Sequence, residues 1–128
     1  MAVALAAALT TSASGQSLRD LRAREKENAE LASQADFTSE TCGRAINASI
    51  DWAASDEWPA SESLAGACDS ALGAVETICR AGRTNVVGRF VCAGDGSGPD
   101  LSGKTLRFGA TPDGDGYAAT LATIGGAE

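Results

Sequence analysis

The chain contains no histidine. That absence removes the usual general base near neutral pH, both Ser-His-Asp and Cys-His nucleophile activation, and His-ligated zinc. Aromatic residues make up only 5% of the 128 residues, so the 44% apolar fraction rests largely on alanine. Ala-rich helices pack closely but bury little area each, at about 25 cal/mol per Å². Such a core gains from covalent staples. No apolar run approaches the roughly 20 residues a spanning helix requires, so no membrane insertion is expected. Basic residues are also scarce: 10 against 17 acidic, a net charge of −7. An acidic surface repels phosphate backbones and anionic headgroups. No nucleic acid partner is expected, and a protein partner would be basic.

Lys and Arg are missing before Arg19. The segment Ala2–Leu9 is apolar, and the small and polar stretch Thr10–Gln16 follows. This is the pattern of a signal-peptide core and cleavage zone without its basic start. Residues 1–15 are therefore read as a signal peptide or its remnant, and 16–128 as a single domain. The Ala- and Arg-rich usage points to a GC-rich bacterial genome. The expected location is periplasmic or secreted.

Four cysteines are present: Cys42, Cys68, Cys79 and Cys92. An even number in a small exported chain argues for two disulfides. Zinc would need close pairs from one tight turn, and the spacings here are 25, 10 and 12 intervening residues.

Helical signals fill the first two thirds. Ser17 and Asp20 have capping-pair spacing, and Ser17–Ala35 reads as a loosely packed charged helix, polar all round from Arg22 to Asn28. It projects or docks on something else, and residues 17–35 are a candidate dimer surface. Phe37 is placed as a staple before Thr38 and Ser39, opening a second helix to about Ser55, with Cys42, Ala45, Ile46, Ile50 and Ala53 at helical spacing. A third helix is predicted over Pro59–Ala81, its stripe formed by Leu64, Cys68, Ala71, Leu72, Val75, Ile78 and Cys79, with Gly82 as its stop. From Asn85 the pattern changes to β-like runs at Val86–Ala93, Lys104–Ala110 and Tyr117–Ile124, separated by Gly, Pro and Asp turns. The predicted fold is α+β: N-terminal helices including a disulfide-stapled helical hairpin, then a three-stranded antiparallel meander.

An antiparallel hairpin would bring Cys42 to Cys79. Cys92 lies about 25–30 Å along the first strand, equal to about 17–20 residues back along the third helix, nearer Cys68. The preferred pairing is Cys42–Cys79 with Cys68–Cys92. The alternative is Cys42–Cys68 with Cys79–Cys92.

Carboxylates are the remaining chemistry. Asp51, Asp69 and Glu76 are placed on helices as solvated charges. Asp95 with Asp100, or Asp113 with Asp115, are weak calcium candidates in Asp-Gly loops, without the EF-hand spacing. No cofactor is expected. Asn47-Ala48-Ser49 matches a glycosylation triplet but falls inside a predicted helix. The strongest surface is the tip Asp51–Pro59, where Trp52 and Trp58 flank Asp56 and Glu57. Trp is enriched in binding hot spots, and acidic neighbours select a basic partner. Alternatively, the two rings simply plug the open end of the hairpin.

The expected function is a small exported, non-enzymatic binding or accessory module of the bacterial envelope. The alternatives are an envelope hydrolase using paired carboxylates and a calcium-stabilised structural module. A non-reducing peptide map should join Cys42 to Cys79 and Cys68 to Cys92; a Cys79–Cys92 peptide would overturn that pairing.

Overall fold

The computed structural model describes the backbone of residues 2–126 and the side chains of residues 18–126. The leader expected over residues 1–15 lies outside the residues whose side chains are described.

The central helix is the best-specified element. Ser63 caps it, its Oγ accepting from the Gly66 N–H at 3.0 Å, and the helix runs Leu64–Arg80. Pro59–Ser63 is lead-in loop rather than first turn. Every residue of the predicted stripe is buried. Gly82 adopts φ +93°, the Gly82 N–H reaches Cys79 O at 3.0 Å, and the Arg83 N–H reaches Ile78 O at 2.9 Å. This is a Schellman stop, which an L side chain at position 82 would strain.

The preceding helix, α1, is one continuous element, Ala2–Cys42, and the central helix is therefore α2. The predicted helix start at Thr38 and Ser39 is not used. Ser39 Oγ donates to Ala35 O at 2.8 Å, and Thr41 Oγ1 donates to Phe37 O at 3.1 Å. Hydroxyls bonded back to the preceding turn are compatible with a helix interior. Phe37 is exposed rather than stapled. The helix stops at Gly43, where φ is +68°. Leu31, Ala35, Thr38 and Cys42 form its buried face. Along that face Glu27 meets Ser63 and Ala65, Thr38 Oγ1 lies 2.6 Å from Glu76 Oε2, and Cys42 meets Cys79. Sequence numbers rise together on both helices, so α1 and α2 are parallel. The predicted antiparallel hairpin and second helix are corrected. Glu76, expected to be solvated, sits in this seam.

The segment expected to complete that second helix is a strand. β1 spans Asn47–Asp51, carrying the Asn-Ala-Ser triplet. α2 then crosses over to β2, Arg89–Ala93, which pairs parallel with β1. β3 is Gly98–Ser102 and β4 is Thr105–Gly109. β4 is parallel to β2 and antiparallel to β3, giving the order β1-β2-β4-β3. A mixed four-stranded sheet thus replaces the three-stranded antiparallel meander. β3 occupies a stretch read as turn. It tolerates Pro99 because it is an edge strand, where a missing N–H breaks no central ladder. Tyr117–Gly125 is helix α3, not a strand. Ala118, Ala119 and Ala122 favour helix, Thr120 and Ile124 are buried four apart, and Asp115 Oδ1 accepts from the Tyr117 N–H at 2.9 Å.

The fold is α+β, with three α-helices and four strands among the described residues. α1 lies against β1, α2 against β2 and β4, and α3 against β3. Phe90, Cys92, Leu106 and Phe108 are buried on the helix side. Parallel strands are usually covered on both faces. Here alternation makes the other face polar, with Ser49, Arg89 and Arg107 among the residues between the buried positions.

Disulfides join Cys42 to Cys79 and Cys68 to Cys92, with Cα–Cα distances of 5.0 and 6.0 Å. The pairing agrees with the preferred one, although parallel helices ending together create the first contact. Two such bonds mark an oxidising, extracytoplasmic environment. No described helix is long and apolar enough to cross a membrane.

The far end of the α1–α2 seam is held by a carboxylate. Glu27 Oε1 accepts from the Ala65 N–H and from Ser63 Oγ, both at 2.9 Å. It supplies negative charge to the first turn of α2, where the helix dipole is positive. Glu27→Ala should lower stability by about 1 kcal/mol, read as a shift in urea midpoint at unchanged slope. Glu27→Gln should retain part of it, and equal stability of all three chains would contradict this role.

Candidate functional site

The ends of β1 and β2 meet in one loop system. After Asp51, a short 3-10 turn covers Ala53–Ser55. Asp51 Oδ1 accepts from the Ala54 N–H at 3.2 Å, and Ser55 Oγ donates to Asp51 O at 2.7 Å. The same Ser55 Oγ accepts from the Gly94 N–H at 2.9 Å, tying the loop to the end of β2. Trp58 then rests on Gly94: a Cβ there would come within 2.9 Å of Trp58 Cε3. Trp58 Nε1 donates to Glu62 O at 2.9 Å, so this ring is fixed by packing and by a hydrogen bond. Trp52 differs. Its Nε1 is buried without an acceptor among the described residues. Its ring packs partly on the core and carries the Arg24 guanidinium carbon 5.1 Å from its centroid.

Between this loop and α1 lies a cleft of about 400 Å³. Trp52, Asp56 and Trp58 line it from the loop; Asp20, Arg24, Lys26 and Glu27 line it from α1. Its loop wall begins directly after the carboxyl end of edge strand β1. Four carboxylates (Asp20, Glu27, Asp56 and Glu62) and two cations (Arg24 and Lys26) line the cleft. Glu57 turns instead toward a smaller hollow of about 230 Å³, shared with Gly94 and Pro112, for which Trp58 is also a wall. The structure therefore gathers three of the four predicted tip residues in one cleft and separates the fourth.

Neither a family model, nor a curated protein, nor a solved structure matches this chain.

Asp20, Arg24 and Glu27 enter the sequence reading only within the candidate dimer segment 17–35, Asp20 also as half of a capping pair, and Glu62 carries no signal there. The available signal was the polar middle of α1, which no core stripe explained. Residues 18–26 are exposed, whereas Leu31 and Ala35 are covered by α2 of the same chain. The candidate dimer segment is thus open all along residues 18–26, and beyond them only on the side away from α2, at Asn28, Ala29, Ala32 and Ser33.

The predicted calcium candidates have other bonds or stand apart. Asp95 Oδ1 accepts from the Ser97 N–H at 3.1 Å and from Ser97 Oγ at 2.7 Å, while Asp95 Oδ2 accepts from Arg107 Nη2 at 2.7 Å. Asp115 caps α3. Asp100 is exposed on edge strand β3, and Asp113 is exposed in the loop between β4 and α3. Among the described residues no three Cys, Asp or Glu side chains group as metal ligands.

Paired carboxylates do occur on the open sheet face, but around a cation. Arg107 Nη2 lies 2.7 Å from Asp95 and 3.6 Å from Asp51. The hydrogen bond from Arg107, aided by Ser97, holds the Asp95 carboxyl down to about 2, below its ordinary 3.8. Asp95 is thus ionised at neutral pH and unsuited to donate a proton there. Because its folded value is the lower one, the stability it contributes is present above about pH 4 and is lost as pH falls toward about 2. Urea unfolding from acid to neutral pH should show this loss in the native chain and a smaller one in Arg107→Gln. Parallel curves for the two chains would contradict the pairing.

Proposed function

We propose that this chain is a small periplasmic or secreted binding module, without catalytic function, that docks a basic segment of a protein partner in the cleft between α1 and the Trp52–Trp58 loop. One observation carries the reading. Trp52 and Trp58, the two tryptophans of the chain, line the same cleft and face a wall supplied by a distant helix. A large rigid ring at the centre of an interface concentrates binding energy.

Charge supports a cationic occupant. Carboxylates outnumber cations around the cleft, and the whole chain is acidic. The amide positions of the α2 N-terminus that would attract an anion are already bonded: the Ala65 N–H to Glu27, the Gly66 N–H to Ser63. The lack of histidine removes the commonest acid–base group for chemistry at this site.

The reading can be tested with a random peptide library displayed on beads. Peptides retained by the native protein should be enriched in Lys and Arg. Trp58→Phe and Asp56→Lys should each weaken the retained peptides roughly tenfold. Asp56 is exposed, so charge reversal there leaves the fold intact. Enrichment without a basic bias, or basic peptides indifferent to both variants, would overturn the proposal.

A further inference from the structure

The two tryptophans in the cleft are held differently, and the difference indicates what each does. Trp58 is pinned by its bond to Glu62 O and by Gly94. Trp52 has no hydrogen bond at Nε1 among the described residues, and its ring bears the guanidinium of Arg24. Arg24 is exposed and has no carboxylate within 4.0 Å among the described residues. It also belongs to the part of α1 that lies outside the α1–α2 seam. Its contact with Trp52 is therefore a ring–cation contact in its own right, not the by-product of an ion pair. Carboxylates nevertheless line the same cleft, Asp20 from α1 and Asp56 from the loop. A guanidinium arriving from outside could use both the ring and these rim charges.

We propose that the face of Trp52 is a seat for an arginine side chain of the docked partner, and that Arg24 fills this seat in the free protein as an internal stand-in. The inference rests on the docking function proposed above and names its ligand chemistry. An exposed cation–ring contact is weak enough to exchange without unfolding anything. Arg24 swings into solvent when the incoming guanidinium takes its place. The contact keeps an uncovered indole face from solvent until then, at the cost of a modest competition term.

The test keeps Trp58 and reads the indole Nε1–H NMR resonance of Trp52, told from that of Trp58, the other tryptophan, by its loss in Trp52→Phe. The probe is a blocked tripeptide, acetyl-Gly-Arg-Gly-amide, compared with its Gln counterpart at equal concentration. The arginine probe should shift the Trp52 indole resonance, and the Gln probe should not. Adding Arg24→Ala or Arg24→Gln should tighten the arginine probe roughly two- to fivefold, the competition an exposed cation–ring contact supplies. Arg24→Lys should restore most of the competition. No response to the arginine probe in any chain, an equal response to the Gln probe, or no tightening in either Arg24 variant would overturn the seat. If library-derived basic peptides still depend on Trp58 and Asp56 in those cases, the docking function stands without it; if they do not, both readings fall.

Discussion

The register of α1 on α2 governs the rest of the molecule. Cys42 bonded to Cys79 fixes the two helices where they end, and Glu27, accepting from the Ala65 N–H and the Ser63 hydroxyl, fixes them where α2 begins. Between these points the seam is small: Leu31, Ala35 and Thr38 against an alanine-rich face. A seam of that kind has little area with which to resist sliding. A covalent bond at one end and a charged cap at the other supply the registry that bulky side chains supply elsewhere. With α1 parallel to α2, the chain must return through β1, and that return creates the crossover to β2.

Much of this was legible in the residues, though not its topology. The α2 stripe was long enough for its period to be unambiguous, and all of it is buried. Ile46 and Ile50 misled because a spacing of four satisfies both a helix and a strand. Ala48 between them, with Asn47, Ser49 and Asp51 alternating, was the discriminating pattern. The stop signal was present as well: Gly43 follows Cys42 directly, at a left-handed backbone position. Tyr117–Ile124 failed in the opposite direction. Its Thr and Ile suggested a strand, while its alanines and the packing of Thr120 and Ile124 made it a helix. Parallel pairing of β2 with β4 was not visible locally, because β3 intervenes in sequence and steps aside to the edge.

The candidate site divides along the same line. Trp52 and Trp58 are neighbours in sequence and could be suspected together. Their opposing wall comes from Asp20, Arg24 and Glu27, some thirty residues earlier, and only the parallel helix arrangement brings it there. The feature that did show was negative: a helix segment too polar to be core, with no partner evident. A charged helix middle gains its meaning from what the fold places opposite it.

α1 is also a mechanical element. Leu31 to Cys42 carries its buried face, and Asp20 to Glu27 forms a cleft wall, with the helix continuous between them. From Leu31 to Asp20 the helix rises about 16 Å, so a tilt of about 10° at the core moves the wall by about 3 Å. The cleft width is thus read out from the packing under Leu31 and Ala35, and through Cys42 from the disulfide at the opposite end. In this molecule the mouth of the cleft and the packing of the core share one continuous helix.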